Sequence, residues 1–318
     1  MEKKDFRIIF FGTPDFAAIS LETLILNGFN IVATVTAPDK PAGRGMKLSE
    51  SAVKTMAIKH GIPVLQPEKL KSSEFQLQLE ELKPDLGIVI AFRMLPETVW
   101  SFPKLGTINL HASLLPQYRG AAPIQHAIIQ GEKISGLSIF FLKHEIDTGD
   151  IIASHEIEIG IDENAGSLHD RMMKEGAELV CNTVKKIIDN SIEARPQINS
   201  STLKTAPKLN REFCKLDLTL NMQMIHNKVR GLSPYPGAWI NSKWGDMKIL
   251  ETRIPMNYKT FESSTEKNLL VQIDNHIGIY NKELRLNCSD GWLEIISLQL
   301  PGKTKTGAKD FLNGLKTI

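Results

Sequence analysis

The chain has 318 residues, 42% apolar and 23% charged, with a net charge of +2. That length suggests two ordinary domains, each with a core of its own, and the composition is that of a soluble globular protein. No apolar run approaches the roughly 18 residues a membrane helix needs, and Met1 to Asp5 has no signal-peptide anatomy, so a cytoplasmic location is expected. Cys181, Cys214 and Cys288 are odd in number and far apart, which argues against a zinc site or a disulfide framework. Charge is unevenly spread. From residue 208 onward there are 16 Lys/Arg against 11 Asp/Glu, while the preceding part holds 22 against 25. A basic C-terminal part would suit a polyanionic partner, although an ordinary solvated surface can carry the same balance.

Taken in chain order, Arg7 to Phe11 reads as a strand broken by Gly12-Thr13-Pro14, followed by a helix to about Asn27. A strand near Ile31 to Thr36, a helix from about Ser49 to His60, a strand at Ile62 to Leu65 and a helix at Glu74 to Leu82 continue the rhythm. Leu86 to Phe92 is a continuous apolar strand, and Thr107 to His111 is the next. This alternation predicts a Rossmann-like, doubly wound, mostly parallel α/β sheet. Gly136 to Leu142 and Ile151 to Ile159 add two more strands, the second antiparallel to the first. Ser167 to Asp189 reads as a long amphipathic helix that closes the domain. Residues 190–208 are polar and Pro-punctuated, a linker between a domain at 1–189 and another at 209–318. The latter begins with a helix at about Asn221 to Val229, ended by Gly231 and Pro234. Short alternating runs follow: Ala238 to Asn241, Met247 to Ile254, Leu269 to Ile273, Gly278 to Tyr280, Leu284 to Cys288 and Trp292 to Leu298. They predict a small closed, OB-like β-barrel.

The residues with chemical potential concentrate in the first domain. Asn109 and His111 lie two apart on one strand and so share a face. At the end of a central parallel strand they stand where open α/β sheets bind ligands. A carboxamide can stabilise the oxyanion formed when a carbonyl is attacked, and an imidazole can move protons. In isolation the pair reads equally well as a hydrogen-bonded strand end. In Glu145-Ile146-Asp147-Thr148-Gly149-Asp150, either Asp147 or Asp150 could reach His111 and orient its ring, or the segment is a plain turn. Gly12-Thr13-Pro14 lacks the three-glycine dinucleotide fingerprint, which ranks a nicotinamide oxidoreductase last. The loop Pro38 to Lys47 is too long for a simple connection and carries Lys40, Arg44 and Lys47, which suit a nucleic-acid groove as well as a surface loop.

These pieces occur in the order found in one family. The chain resembles the bacterial methionyl-tRNA formyltransferases over essentially its whole length. The resemblance rests on Phe11-Gly12-Thr13-Pro14-Asp15-Phe16-Ala17, the Pro38 to Lys47 loop, Asn109-x-His111-x-Ser113-Leu114-Leu115-Pro116, and Arg119-Gly120-Ala121-Ala122-Pro123-Ile124-Gln125. Asp147-Thr148-Gly149-Asp150 and Arg230-Gly231-x-x-Pro234-x-Pro236-Gly237-Ala238-Trp239 complete it. It implies Asn109, His111 and Asp147 as catalytic residues and Ser113, Leu114, Leu115 and Pro116 as a folate-contacting loop. It implies Phe92 and Arg93 as neighbours of the folate ring, where the family usually has Ala-Tyr-Gly and this chain has Ala91-Phe92-Arg93. Glu145 likewise replaces a common Gly. Arg44, flanked by Lys40 and Lys47, is implied at the acceptor end of tRNA, and the basic C-terminal domain at its phosphates. The activity implied is transfer of a formyl group from 10-formyltetrahydrofolate to initiator methionyl-tRNA, by a monomer and without a metal. Rival readings share the catalytic residues or discard them. They are a formyltransferase for a small amine such as glycinamide ribonucleotide or an amino sugar, a formyltetrahydrofolate hydrolase, and a non-catalytic RNA-binding module.

Overall fold

A computed structural model of the chain describes residues 2–42, 47–198, 200–255 and 270–315. In chain order the elements of the first two-thirds are β1 (Arg7–Gly12), α1 (Asp15–Leu26), β2 (Asn30–Val35), β3 (Lys40–Ala42), β4 (Lys47–Ser49), α2 (Ala52–Lys59), β5 (Val64–Leu65) and α3 (Ser73–Leu82). Next come β6 (Leu86–Ile90), α4 (Glu97–Trp100), β7 (Thr107–His111), β8 (Arg119–Gly120), α5 (Pro123–Ile129), β9 (Ile134–Phe141), β10 (Ile151–Glu158), α6 (Ala165–Ile188) and β11 (Thr205–Ala206). The remainder holds α7 (Met222–Leu232), β12 (Ala238–Ser242), β13 (Gly245–Arg253), β14 (Val271–Asp274), β15 (Ile277–Tyr280), β16 (Glu283–Cys288), β17 (Gly291–Gln299), β18 (Thr306–Gly307) and α8 (Ala308–Gly314). Among the described residues no helix is long and apolar enough to cross a membrane.

Packing gathers these elements into two compact units. One holds residues up to Gly120, Ser135–Ile157 and Asp170–Thr205; the other holds Ala121–Ile134, Glu158–His169 and the chain from Ala206 onward. Most of the segment read as a linker, up to Thr205, therefore packs as part of the first unit.

The first unit is built on a seven-stranded sheet in the order β10-β9-β7-β6-β1-β2-β5. Ladders β2–β5, β1–β2, β1–β6 and β6–β7 are parallel, as the βα rhythm requires, while β9 runs antiparallel to β7. Leu86–Ile90 is buried at every position, which explains its unbroken apolar run. Ile9, Phe11, Val35, Phe75, Leu79, Val89 and Val99 pack into a core on one side of the sheet. The Pro38 to Lys47 loop carries structure that the sequence does not advertise, because β3 and β4 pair antiparallel, Lys40 opposite Ser49. Asp39 anchors this pair. Its carboxylate accepts from Lys54 and, at 2.8 Å, from Gln66, and the Lys54 bond holds its carboxyl below the usual carboxylate range.

The second unit is a curled antiparallel sheet, β12-β13-β17-β16-β15-β14, with β18 paired to β17. Among the described residues no ladder joins β12 to β14. The curl instead brings the Lys243 N–H, in the β12–β13 turn, to Asp274 Oδ2 at 3.0 Å. Its core gathers Met222, Ile225, Val229, Leu232, Ile240, Met247, Ile249, Leu286, Leu293 and Phe311. Helix α7 starts where its cap predicts, since the Asn221 side chain accepts from the Met224 N–H at 2.9 Å. It does not stop at Gly231, as expected from sequence, but runs through it to Leu232. A Cβ on Gly231 would lie 2.6 Å from Ile129 Cγ1 and 3.0 Å from Gln125 O, so this glycine serves close approach to α5 rather than termination.

The three cysteines are buried, and burial pushes each thiol up, Cys288 to about 12. Native protein at pH 8 should therefore resist iodoacetamide and take up label at all three positions only after denaturation; rapid native labelling, read by mass spectrometry, would contradict this burial.

Ser138 faces His111 across the β7–β9 ladder and has no exposed surface. Its hydroxyl donates to Ser113 O at 2.8 Å and accepts the Leu115 N–H at 3.0 Å, tying the segment after β7 to β9. Ser138→Ala strands two backbone groups and should cost about 1–3 kcal/mol in urea unfolding; unchanged stability would show that water replaces the hydroxyl.

Candidate active site

Strand β7 presents Asn109 and His111 on one face. Its register is fixed on both sides, with Asn109 between Val89 of β6 and Phe140 of β9. Asn109 is half-buried, and among the described residues its carboxamide has no hydrogen-bond partner. A polar group held rigidly and left unpaired is available to a ligand oxygen.

His111 is 6% exposed. Its Nε2 lies 2.9 Å from Tyr118 O. A carbonyl can only accept, so Nε2 carries the ring proton and donates, which leaves the lone pair of the neutral ring on Nδ1. Nδ1 lies 3.9 Å from Asp147 Oδ2. That is an ion-pair distance for a protonated ring and too long for a direct hydrogen bond. The same Oδ2 accepts the Gly120 N–H at 2.9 Å. Asp150, the other acid considered from sequence, instead pairs with Lys143 at 2.7 Å.

Three non-glycine residues around this constellation have left-handed backbones: Ala91 (φ 46°), Tyr118 (φ 59°) and Asp147 (φ 55°). Such conformations cost about 1–3 kcal/mol each and persist only where surrounding contacts enforce them. Tyr118 supplies the carbonyl for His111, Asp147 supplies the acid, and Ala91 follows β6. Gly149 shows how tightly the acid's turn is drawn in, since a Cβ there would lie 1.6 Å from Phe141 O.

The segment Ser113 to Pro116 is held by its own bonds. Ser113 is buried, its hydroxyl donating to Gln117 O at 2.6 Å and its carbonyl accepting from Ser138. Leu115 is buried, and Leu114 and Pro116 are half-buried. Beyond β6, the Phe92 ring is half-buried, with its centroid 6.0 Å from that of Phe11. Arg93 is exposed. Its guanidinium lies 5.6 Å from the Phe92 ring centre and donates to Glu68 O at 3.0 Å and to Pro67 O. Lys40 is exposed on β3, and Lys47 begins β4. Arg44 lies outside the described residues. The N-terminus of α1 after Gly12-Thr13-Pro14 carries Asp15 in its first turn, which disfavours a bound anion there.

Sequence reasoning missed Tyr118, Gly120 and Ser138. The first two act through main-chain atoms, which leave no side-chain signature. Ser138 does leave one, as the only hydroxyl in the apolar run Leu137-Ser138-Ile139-Phe140.

Comparison with known proteins agrees over both units. The formyl transferase family model matches residues 6–184, and the formyl transferase C-terminal domain model matches 208–316. The methionyl-tRNA formyltransferase of Bacteroides fragilis is 44% identical, covering 99% of this chain and 96% of that protein. Its counterpart in Parabacteroides distasonis is 46% identical over 100% and 98%. Among solved structures, the sugar 3N-formyl transferase WlaRD, determined with dTDP and 5-N-formyl-THF, shares the fold at a TM-score of 0.66 and 19% identity, over 94% of this chain and 99% of that one. HypX from Aquifex aeolicus in complex with tetrahydrofolic acid does so at 0.64 and 16%, over 96% of this chain and 46% of the other. With two matching domain models and full-length relatives at this identity, the chain belongs to the methionyl-tRNA formyltransferase family.

Proposed function

We propose that the protein transfers the formyl group of 10-formyltetrahydrofolate to the α-amino group of methionyl-initiator tRNA. The observation that carries this reading is the His111 ring, oriented by Tyr118 O and 3.9 Å from the half-buried Asp147, on the strand face it shares with Asn109. The donor fits this set because an activated formyl group presents a carbonyl oxygen, and the Asn109 amide, without a hydrogen-bond partner among the described residues, can donate to it. The formyl folate supplies an electrophilic carbon bound to a nitrogen leaving group.

The substrate amine is itself the nucleophile, so no Ser or Cys nucleophile is required. As its nitrogen bonds to the formyl carbon, the carbonyl oxygen gains charge, and the Asn109 N–H stabilises it. The Nδ1 lone pair of His111 is the ring position able to take a proton, since Nε2–H is committed to Tyr118. That nitrogen takes the amine proton, directly or through water, and Asp147, across 3.9 Å, balances the positive ring that results. The carbon–nitrogen bond to folate then breaks, and the proton passes to the departing nitrogen. Phe92 and the Ser113 to Pro116 segment line the pterin side in this reading, and Lys40, Arg44 and Lys47 meet the acceptor stem. The 16 Lys/Arg from residue 208 onward serve the tRNA backbone, which a small amine would not need.

A formylation assay with charged initiator and elongator methionine tRNAs tests the substrate. Initiator-selective product supports the reading, and formate release without tRNA would favour a hydrolase. His111→Ala and Asp147→Ala should each lower kcat by about two to four orders of magnitude, on the scale of general acid–base catalysis, in protein that urea unfolding shows to be folded under the assay conditions. Wild-type turnover in either variant would sink the assignment. Arg44→Ala should raise KM for tRNA well above any change for folate, checked by steady-state kinetics in each substrate.

A further inference from the structure

The segment read from sequence as a linker holds the reactive pair in place. We propose that Gln197 is a positioning residue for Asp147, and that it acts with Arg195 and Lys204 as a strap fixing the partners on which His111 depends. The proposal rests on the catalytic reading of Asp147 given above.

The Gln197 carboxamide is used at both ends. Its Nε2 donates to Asp147 O and to Gly149 O, each at 2.8 Å. Its Oε1 accepts from Arg119 Nε at 3.0 Å and Nη2 at 2.6 Å. The two donated bonds pin the two carbonyls that bracket the turn in which Asp147 takes its left-handed conformation, φ 55°. The two accepted bonds fix Arg119, the residue before Gly120, whose N–H holds Asp147 Oδ2. One side chain therefore restrains the acid from its own backbone and from the residue that grips its carboxylate. A neutral amide is the only common side chain of this length that can serve two carbonyls and a guanidinium at once.

The rest of the strap acts on His111. Lys204 O accepts the Tyr118 N–H at 2.7 Å, and the Lys204 N–H donates to Gln117 Oε1 at 2.8 Å. Tyr118 is the residue whose carbonyl receives His111 Nε2–H. At the other end, Arg195 and Ile151 exchange both backbone bonds at 2.9 Å, which sets the register of Gln197 against the turn. The strap thus reaches the acceptor of the imidazole proton and the turn of the acid, at sequence separations of 86 and 50 residues.

Three variants test this: Gln197→Ala, Gln197→Glu and Asp147→Asn. Gln197→Glu keeps the acceptor for Arg119 and turns both donors into an acceptor facing carbonyls. In single-turnover assays with enzyme in excess, both Gln197 variants should lose about 10- to 100-fold in rate, on the scale of a misplaced catalytic group, with KM for the folate donor unchanged. The decisive measurement is the same change in an Asp147→Asn background, where loss of Gln197 should cost less than about twofold, because the group it positions is already gone. Wild-type rates in folded Gln197→Glu overturn the proposal, and so does the full penalty in both backgrounds, which marks a structural role. If Asp147→Asn itself retains wild-type turnover, the catalytic reading of Asp147 fails instead.

Discussion

The arrangement depends on one constraint, the antiparallel entry of β9 beside the last parallel strand. Parallel pairing alone would give β7 a neighbour reached only after a helical crossover. Reversing direction at β9 places Ser138 opposite His111 and Phe140 opposite Asn109. The buried Ser138 hydroxyl then fastens Ser113 and Leu115, so the segment leaving β7 turns back within reach of the ring. Tyr118 arrives with its carbonyl toward Nε2, and the tautomer follows. Strand direction, loop path and proton position form one causal chain.

Much of the fold was legible because its signals are long. The runs Arg7 to Phe11, Leu86 to Phe92 and Thr107 to His111 declare buried strands, and their spacing declares parallel pairing, although the second strand ends at Ile90. The elements that escaped notice are short or begin with residues that read as breakers. The helix α5 starts on Pro123, whose fixed φ suits a first turn. The pair β3–β4 spans three residues on each side and includes Pro41. Gly231 misled because a glycine near a helix end usually stops it, and here the spatial neighbour α5 determines its role.

The candidate site was legible in its side chains and not in its main chain. Amide, imidazole and acid are chemically distinctive enough to mark Asn109, His111 and the Asp147/Asp150 turn, and the family resemblance implied the roles of Asn109, His111 and Asp147. Chemistry alone left Asp147 and Asp150 open, since both lie in one turn; the resemblance singled out Asp147, and in the structure its carboxylate lies 3.9 Å from the ring while Asp150 pairs with Lys143. Gln197 was hidden for a different reason. It sits among Arg195, Pro196 and Asn199 in a stretch whose composition describes a spacer, and composition is silent about a side chain that reaches back to a turn 50 residues earlier.

The partner of His111 Nε2 is a main-chain oxygen, and this has a bearing on how such a protein can vary. No exchange of side chain at position 118 deletes that oxygen, so the ring's orientation tolerates point changes there as long as the left-handed bend survives. The vulnerable quantity is length. Adding or removing one residue between Ala112 and Gln117 would carry the carbonyl along by roughly 3 Å, the reach of a single backbone step, and leave the ring unsatisfied. Drift in this segment should therefore run through substitution rather than through insertion or deletion.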